Sequence, residues 1–264
     1  LEPTSLGLVA PSDVKIPKIL KGMTKIMNKK WLKEKVTFSE EDFIKVSTKT
    51  WEHLREAFDE IAFTREETAS IVEACKKEGI SVNAALLTAG VFAKNQIESL
   101  QKLPNHVGFA VDVRKKLLKN VGEACALLAS AVMVKVKLSK KETDSFWNIA
   151  RKIHEQTVKA MASNQKLFLR RVSTPLMDPT FGDAMFMRQR GGWEGTPFIK
   201  KLTKRSRKFP VGIMVTNLGG LELPTRLNAK YSLELEDGIF YPPIGVKGII
   251  ELGISSLVGR IHIC

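Results

Sequence analysis

The residues best suited to proton transfer are four histidines, and no two of them are neighbours in the chain. They are His53, His106, His154 and His262. A histidine acts as a general acid or base when it is placed beside the reacting group. His154 lies among Lys and Glu on a helical stretch, which predicts a surface position, and His106 at a strand entrance is expected to cap a loop. His262 alternates with Ile261 and Ile263, so we expect it to point away from them, toward solvent or a partner.

Three cysteines offer a second kind of chemistry, but their spacing does not fit a metal site. Cys75, Cys125 and Cys264 are far apart and odd in number. A structural zinc site needs closely spaced Cys or His pairs, and disulfides occur mainly in secreted proteins. We expect reduced thiols, no metal and a cytoplasmic protein.

A strong positive charge is the third feature with chemical meaning. The chain has 42 Lys and Arg against 28 Asp and Glu, a net charge of +14. Eight lysines fall in residues 15–35, three in 115–119 and six basic residues in 200–208. Such clusters can attract a nucleic acid, an acidic membrane surface or a phosphorylated small molecule, or form a solvated surface. Aromatic residues hardly interleave with these runs, so nucleic acid is the least favoured partner.

The elements that position these residues are those of a mixed α/β protein. Residues 1–50 are predicted to be a connecting segment with one short helix, and residues 51–264 a single lobe. Thr64 and Glu67 form a capping-box pattern at the start of a helix that stops at Gly79. Ser81 then begins a helix of small residues, which is suited to pack closely on a sheet.

Alternating and continuous apolar runs predict the strands. They lie at 106–113, 122–138, 209–215, 229–235 and 247–263. Residues 141–162 read as an amphipathic helix that buries Phe146, Ile149, Ile153 and Val158. Residues 176–208, which contain four glycines and Pro179 and Pro197, are predicted to be irregular. We expect a mixed sheet with helices on one face.

The chain lacks the sequence signs of membrane insertion or secretion. No apolar run approaches the ~18 residues of a membrane span, and residues 1–17 do not resemble a signal peptide. We therefore expect no membrane partner. The first residue is not Met, from which we expect a cut, processed or internal starting point.

Four short motifs, in order, resemble a known family. They are the run from Phe63 to Leu87, Val111-Asp112-Val113-Arg114, Phe146-Trp147-Asn148-Ile149-Ala150 and Val215-Thr216-Asn217-Leu218-Gly219. These stretches are similar to alcohol O-acetyltransferases and mycobacterial polyketide-associated acyltransferases of the condensation-domain superfamily. The resemblance covers roughly residues 54–263. It implies a chloramphenicol-acetyltransferase-like fold, with this chain as the C-terminal half of a two-lobed, CoA-dependent acyltransferase.

In that family the catalytic motif His-His-x-x-x-Asp belongs to the N-terminal half, and its second histidine is the general base. None of the four histidines here is adjacent to another, and none is followed by Asp at the fourth position. The resemblance therefore implies no catalytic residue in this chain. It implies a partner that carries the motif, as a separate chain in a heterodimer or as a cleaved fragment.

The resemblance also suggests which residues here face the substrates. Thr216 and Asn217 end an apolar strand and would hydrogen-bond the acceptor or the oxyanion, while Gly219 lets substrate approach the backbone. The alternative is that these residues only turn the strand. Lys204, Arg205 and Arg207 would attract the phosphates of acyl-CoA, which enters as a co-substrate and not as a bound cofactor; a solvated run is the alternative.

Two further residues of the resemblance are given a structural role. Asp112 and Arg114 lie two apart on a strand and hence on one face, and the resemblance implies that Arg114 is a structural anchor.

Three functions remain open at this point. The first is an acyltransferase subunit or fragment that moves an acyl group from CoA, or from a pantetheine carrier, to an alcohol or amine. The second is a non-catalytic protein that binds a ligand or partner on the same scaffold. The third, suggested only by the charge, is a binder of anionic polymers.

Overall fold

A computed structural model describes most of the chain. The described residues are 11–53, 58–97, 106–118, 121, 128–136, 145–206, 212–221, 226–228, 231–234, 237–242 and 250–264. Cys125, Arg207 and parts of four predicted strands lie outside them. The chain divides into two compact units. Unit 1 comprises Leu1–Ala57, Val111–Ser130 and Met161–Pro210, and unit 2 comprises Phe58–Ala110, Ala131–Ala160 and Val211–Cys264.

The described residues form eight α-helices and eight strands. The helices are α1 (Lys18–Glu34), α2 (Glu40–His53), α3 (Arg65–Lys77), α4 (Val82–Gln96), α5 (Phe146–Met161), α6 (Asn164–Ser173), α7 (Pro179–Gln189) and α8 (Pro197–Ser206). The strands are β1 (Ile61–Ala62), β2 (His106–Asp112), β3 (Ala129–Lys135), β4 (Ile213–Gly220), β5 (Arg226–Asn228), β6 (Tyr231–Glu234), β7 (Ile250–Leu257) and β8 (Arg260–Ile263).

Six of these strands form one mixed sheet in the order β1-β8-β7-β4-β2-β3. β2 and β4 run parallel, as do β4 and β7, whereas β8 is antiparallel to both β7 and β1. β5 and β6 pair separately. In β3, Val132 and Val134 are buried while Met133 and Lys135 are exposed, as their alternation predicts. The predicted mixed sheet is confirmed.

Three helices of unit 2 cover one face of this sheet. The Thr64–Glu67 capping box is present, and the Ser81 hydroxyl caps α4. Gly90 of α4 lies over the side chains of Ile213 and Leu252, so the small residues of α4 allow close packing on β4 and β7. α5 joins α3 and α4 in a core that includes Cys75, Ile80, Ala85 and Ala150.

The opposite face of β7 is contacted by the segment 237–242. The Ser255 hydroxyl donates to the Gly238 carbonyl over 3.2 Å. A Cβ on Gly253 would lie only 2.2 Å from the Phe240 carbonyl oxygen, so the segment contacts the strand directly. The predicted placement of helices on one face holds for this part of the sheet.

The described residues of unit 1 form five α-helices, and two regions of this unit differ from the sequence prediction. Residues 18–53 form two helices with Trp31 and Val46 buried, not one short helix, and the boundary predicted after residue 50 falls within α2. Residues 176–208 were expected to be irregular, but they contain α7 and α8. Both helices start with proline, at Pro179 and Pro197, where a missing N–H costs nothing.

A compact apolar core joins three of these helices. It consists of Trp31, Ala184 and Ile199, from α1, α7 and α8. Within the described part of the chain, no helix is both long and apolar enough to cross a bilayer.

Candidate functional site

The end of β4 is an irregular point in an otherwise regular pair of parallel strands. β4 pairs with β7 residue by residue from Ile213 to Asn217, and the register then shifts between Asn217 and Gly220. Gly219 adopts a φ of 70°, which side chains disfavour and glycine accepts. The shift lies at the carboxyl ends of parallel strands, where α/β sheets commonly bind ligands, and pairing resumes at Gly220 and Ser256.

The side chain of Asn217 holds this irregular point in place. Its Oδ1 accepts a hydrogen bond of 2.7 Å from the Gly219 N–H. Its Nδ2 donates to Oδ1 of Asn83 on α4 over 3.1 Å. The amide therefore has a fixed orientation, because both of its ends are bound by groups on different elements.

A cavity of about 210 Å³ lies beside Asn217, between the helices α3 and α4 and the sheet. The residues lining it are Thr68, Val72, Val82, Leu86, Asn217, Gly219, Gly220, Ile254, Ser256 and Ile261. Five of the ten are aliphatic, and three are polar. The cavity lies entirely within unit 2.

The structure separates the predicted substrate residues into two groups. Asn217 and Gly219 line the cavity, but Thr216 does not. Thr216 pairs with Gly253 on β7, and since successive side chains on a strand point to opposite faces, Thr216 and Asn217 do not face the same space. Because Thr216 and Asn217 are adjacent in the sequence, their opposite directions on a strand could have been predicted from the sequence alone. The roles of all three in substrate binding stay predictions.

Sequence reasoning missed the polar residues that reach the cavity from other elements. Thr68 of α3 accepts the backbone N–H of Ile261 on β8, and Ser256 of β7 lies opposite Gly220. Asn83 sits on the first turn of α4 and binds Asn217. The only sequence signal for Asn83 is its place just after the Ser81 cap, which does not reveal its partner 134 residues away.

The basic residues predicted to meet CoA belong to α8 in unit 1. Lys204 and Arg205 are exposed, and Arg207 lies outside the described residues. Ile199 and Thr203 are buried on the other side of α8. Because that side packs against the protein, Lys204 and Arg205 point to solvent. Asp112 and Arg114, also in unit 1, form an ion pair of 3.1 Å. Desolvation opposes ionisation of Asp112, but the hydrogen bonds and charge of Arg114 outweigh it and lower the pKa.

His262 occupies a position that contradicts the sequence prediction. It was expected to point to solvent or a partner, but it is completely buried, because the segment 237–242 covers that face of β8. Its Nδ1 lies 3.3 Å from Glu60 Oε1. Its Nε2 lies 2.5 Å from Asp237 Oδ1, at ion-pair distance but without the direction of a hydrogen bond. Asp237 also pairs with Arg260 at 3.0 Å.

His154 is not a free surface residue either. It is half-buried, and its Nδ1 accepts the backbone N–H of Ser81 over 3.3 Å at the start of α4. This contact makes His154 a second cap at the start of α4, beside the Ser81 hydroxyl. His106 opens β2, and His53 ends α2.

The two described cysteines are free thiols. Burial raises the pKa of Cys75 in the core, and burial also raises the pKa of Cys264, whose Sγ donates to the Phe240 carbonyl. Both thiols are therefore poor nucleophiles. Among the described residues, no three His, Cys, Asp or Glu side chains are grouped to hold a metal.

Comparison with known proteins finds a family whose model matches part of this chain. Residues 53–176 match the family of the phthiocerol/phthiodiolone dimycocerosyl transferase C-terminus. The match begins at the last residue of α2 and includes three of the four motifs named above; the motif at residues 215–219 lies outside it. The match spans 124 of the 264 residues, and over this region the chain is similar to the C-terminal part of such acyltransferases, in agreement with the resemblance drawn from the sequence.

Solved structures with similar folds are distant. Polyketide synthase associated protein 5 from Mycobacterium tuberculosis is 19% identical, with a TM-score of 0.47, and the match covers 78% of this chain and 46% of that one. TRI3 trichothecene 15-O-acetyltransferase from Fusarium sporotrichioides is 13% identical, with a TM-score of 0.47 and coverage of 87% and 49%. The chain thus spans about half the length of these structures. No curated protein sequence matches it.

Proposed function

We propose that this chain supplies the C-terminal lobe of an acyltransferase that moves an acyl group from CoA, or from a pantetheine carrier, to an alcohol or amine. The general base comes from an N-terminal half that carries His-His-x-x-x-Asp. The family match over residues 53–176 supports the class of reaction. The described histidines agree with an external base, since His262 is enclosed by carboxylates and His154 caps a helix.

The observation that carries the proposal is the fixed amide of Asn217 beside a cavity at the end of β4. A side-chain amide nitrogen has two N–H donors, and the bond to Asn83 uses one of them. The second is suited to an oxygen of the acceptor or of the tetrahedral intermediate. A donor that is oriented before the reaction stabilises developing negative charge without reorganising in the transition state.

The reaction has a simple balance. The base takes the proton of the acceptor hydroxyl or amine, whose oxygen or nitrogen attacks the thioester carbonyl carbon. The carbon–sulfur bond breaks when the tetrahedral intermediate collapses, and the leaving thiolate takes up the proton. The products are an ester or amide and free CoASH, or the free thiol of the carrier.

Acyl-CoA would bring several negative phosphate oxygens to the protein. Lys204 and Arg205 are exposed on one side of α8 and are our candidates for these contacts. Arginine can bind a phosphate with two parallel hydrogen bonds, and lysine acts as a point charge. Arg207 belongs to the same basic run and is proposed with them.

The test has two parts. Intact-mass analysis of the purified protein under denaturing conditions shows whether a second polypeptide accompanies this chain, and sequencing of that polypeptide shows whether it carries His-His-x-x-x-Asp. The assembled protein is then given acetyl-CoA and longer acyl-CoAs with a panel of aliphatic alcohols and amines, and CoASH release is measured. If no donor gives acceptor-dependent CoASH with both halves present, the proposed transfer is wrong.

A substitution tests the role of Asn217. Loss of one oriented oxyanion donor costs ~10²-fold or more in turnover, so Asn217→Ala should lower kcat/KM by about that factor. Asn148→Ala is the matched control, because Asn148 is exposed on α5 and its side chain accepts a hydrogen bond of 2.8 Å from Arg151 on the same helix. Equal loss in both variants, or no loss in either, would contradict the role of Asn217.

A second function is favoured by the complete burial of His262: a non-catalytic protein that binds a ligand on this scaffold. Acceptor-independent ligand binding by the assembled protein, with no CoASH release, would support this alternative. Acceptor-dependent release would exclude it.

A further inference from the structure

The walls of the cavity at the end of β4 are aliphatic. Two of the α3 and α4 side chains, Val72 and Leu86, face two from the sheet, Ile254 and Ile261, and Val82 completes the apolar lining. Ile254 and Ile261 are buried in the core. A small molecule in contact with these side chains would remove apolar surface from water on both sides, which favours binding of aliphatic groups.

Two of the three polar side chains of the cavity already hydrogen-bond the protein, and one N–H of Asn217 remains for a ligand. The Thr68 hydroxyl accepts the Ile261 N–H over 3.1 Å, and the Asn217 amide bonds Asn83 and Gly219. A ligand is therefore not required to satisfy a buried charge or a set of buried donors. This arrangement favours a ligand with one polar atom over a sugar or a nucleotide.

The size of the cavity limits the length of the group. A cavity of ~150 Å³ in another protein accommodates benzene, and about 210 Å³ holds roughly eight non-hydrogen atoms in proportion. A straight chain of about six to eight carbons fills this volume.

Two glycines leave the open side of the cavity clear. Gly219 and Gly220 are exposed, and a Cβ built on either one would have no atom within 4 Å. Gly219 needs its positive φ, but Gly220 does not have one. Since backbone geometry does not demand glycine at Gly220, its lack of a side chain keeps the cavity accessible.

We propose that this cavity binds an unbranched aliphatic chain of about six to eight carbons whose single polar end lies near Asn217. This inference rests on the proposed function for its biological meaning, because the chain would be that of the acceptor alcohol or of the acyl group. Binding itself can be measured without any transfer reaction.

The experiment uses the full chain with isotope-labelled Ile, Leu and Val methyl groups, observed by NMR. The probes are heptan-1-ol, for an acceptor, and the heptanoyl thioester of N-acetylcysteamine, for an acyl donor; ethanol is the short-chain control. Saturable shifts of the Val72, Leu86, Ile254 and Ile261 methyls with one heptyl probe, and no saturation with ethanol, are expected. The probe that binds more tightly identifies the source of the chain.

Two variants make the test specific. Gly220→Leu places a side chain at the open side without a backbone conflict and should weaken binding at least tenfold. Leu86→Trp should fill the interior and abolish it. The matched control is Gly182→Leu. Gly182 is an exposed glycine of α7 where an added Cβ would meet open space, so this variant should bind the probe with unchanged affinity.

The outcomes separate this inference from the proposed function. Undiminished affinity in Gly220→Leu, or shifts that miss the cavity methyls, would overturn the cavity assignment even if the assembled protein transfers acyl groups. Specific heptyl binding without CoASH release by the assembled protein would instead leave the cavity assigned and reject the acyltransferase.

Discussion

A relay of hydrogen bonds fastens α1 to the start of α7, and breaking it should measurably destabilise unit 1. The indole N–H of Trp31 donates to the Thr180 hydroxyl over 2.9 Å, and this hydroxyl donates to Asp178 over 2.5 Å. Trp31 is completely buried. Thr180→Val keeps the shape of the side chain but removes the acceptor, so a buried N–H is left without its partner.

The expected cost follows from that lost partner. An unsatisfied buried donor costs ~1–3 kcal/mol, and we expect about 2 kcal/mol because Trp31 has no access to water. For a chain of this size that corresponds to a fall in Tm of roughly 4–8 °C. Urea unfolding followed by far-UV circular dichroism measures the free energy, and a thermal scan measures Tm.

A control variant and a double mutant test whether the loss of stability comes from this hydrogen bond. Thr48→Val is the control, because Thr48 is exposed on α2 and its hydroxyl bonds only within its own helix to Ile44. Trp31→Phe removes the other end of the bond, so the effects of Trp31→Phe and Thr180→Val should be less than additive. If Thr180→Val is as stable as Thr48→Val, or the two losses add in full, the relay does not stabilise the unit.

Two other predictions concern charged groups. The Thr180 hydroxyl and the Lys35 ammonium lower the pKa of Asp178, so its contribution to stability is present above the unfolded-state pKa and is lost as pH falls through the lower folded-state value. Asp178→Asn should therefore flatten the acid side of a plot of unfolding free energy against pH. The charge reversals Lys204→Glu and Arg205→Glu should each weaken CoA binding severalfold in calorimetry and reduce the salt dependence of binding. The control is Lys159→Glu on α5, which should change neither. Equal effects of all three substitutions would reject a local phosphate contact.

Local signals in the sequence predicted much of unit 2. Thr64 and Ser81 each accept a backbone N–H three residues further along the chain. The starts of α3 and α4 can therefore be predicted from a few neighbouring residues. The alternation in β3 was equally direct. The α5 helix was predicted correctly, but Val158 is 52% exposed whereas Thr157 and Ala160 are buried, because the helix presents a slightly different face to its neighbours than hydrophobicity alone indicates.

Long-range packing explains what the sequence did not predict. The alternation of His262 with isoleucines correctly separates two faces of β8, but burial of its own face depends on a segment more than twenty residues away. The cavity depends on Asn83 and Asn217, which are 134 residues apart. The prolines of α7 and α8 suggested irregular structure because proline inside a helix breaks it. At the first position of a helix, where these two prolines lie, proline is well accepted.

Gly253 sets the distance between the sheet and the segment opposite the helices. Its backbone N–H and carbonyl both bond Cys264 at 2.9 Å, while its missing side chain admits the Phe240 carbonyl. At this position β7 lies directly against another backbone, with no side chain between them. A residue larger than glycine at 253 would have to displace either the segment 237–242 or the pairing with Cys264.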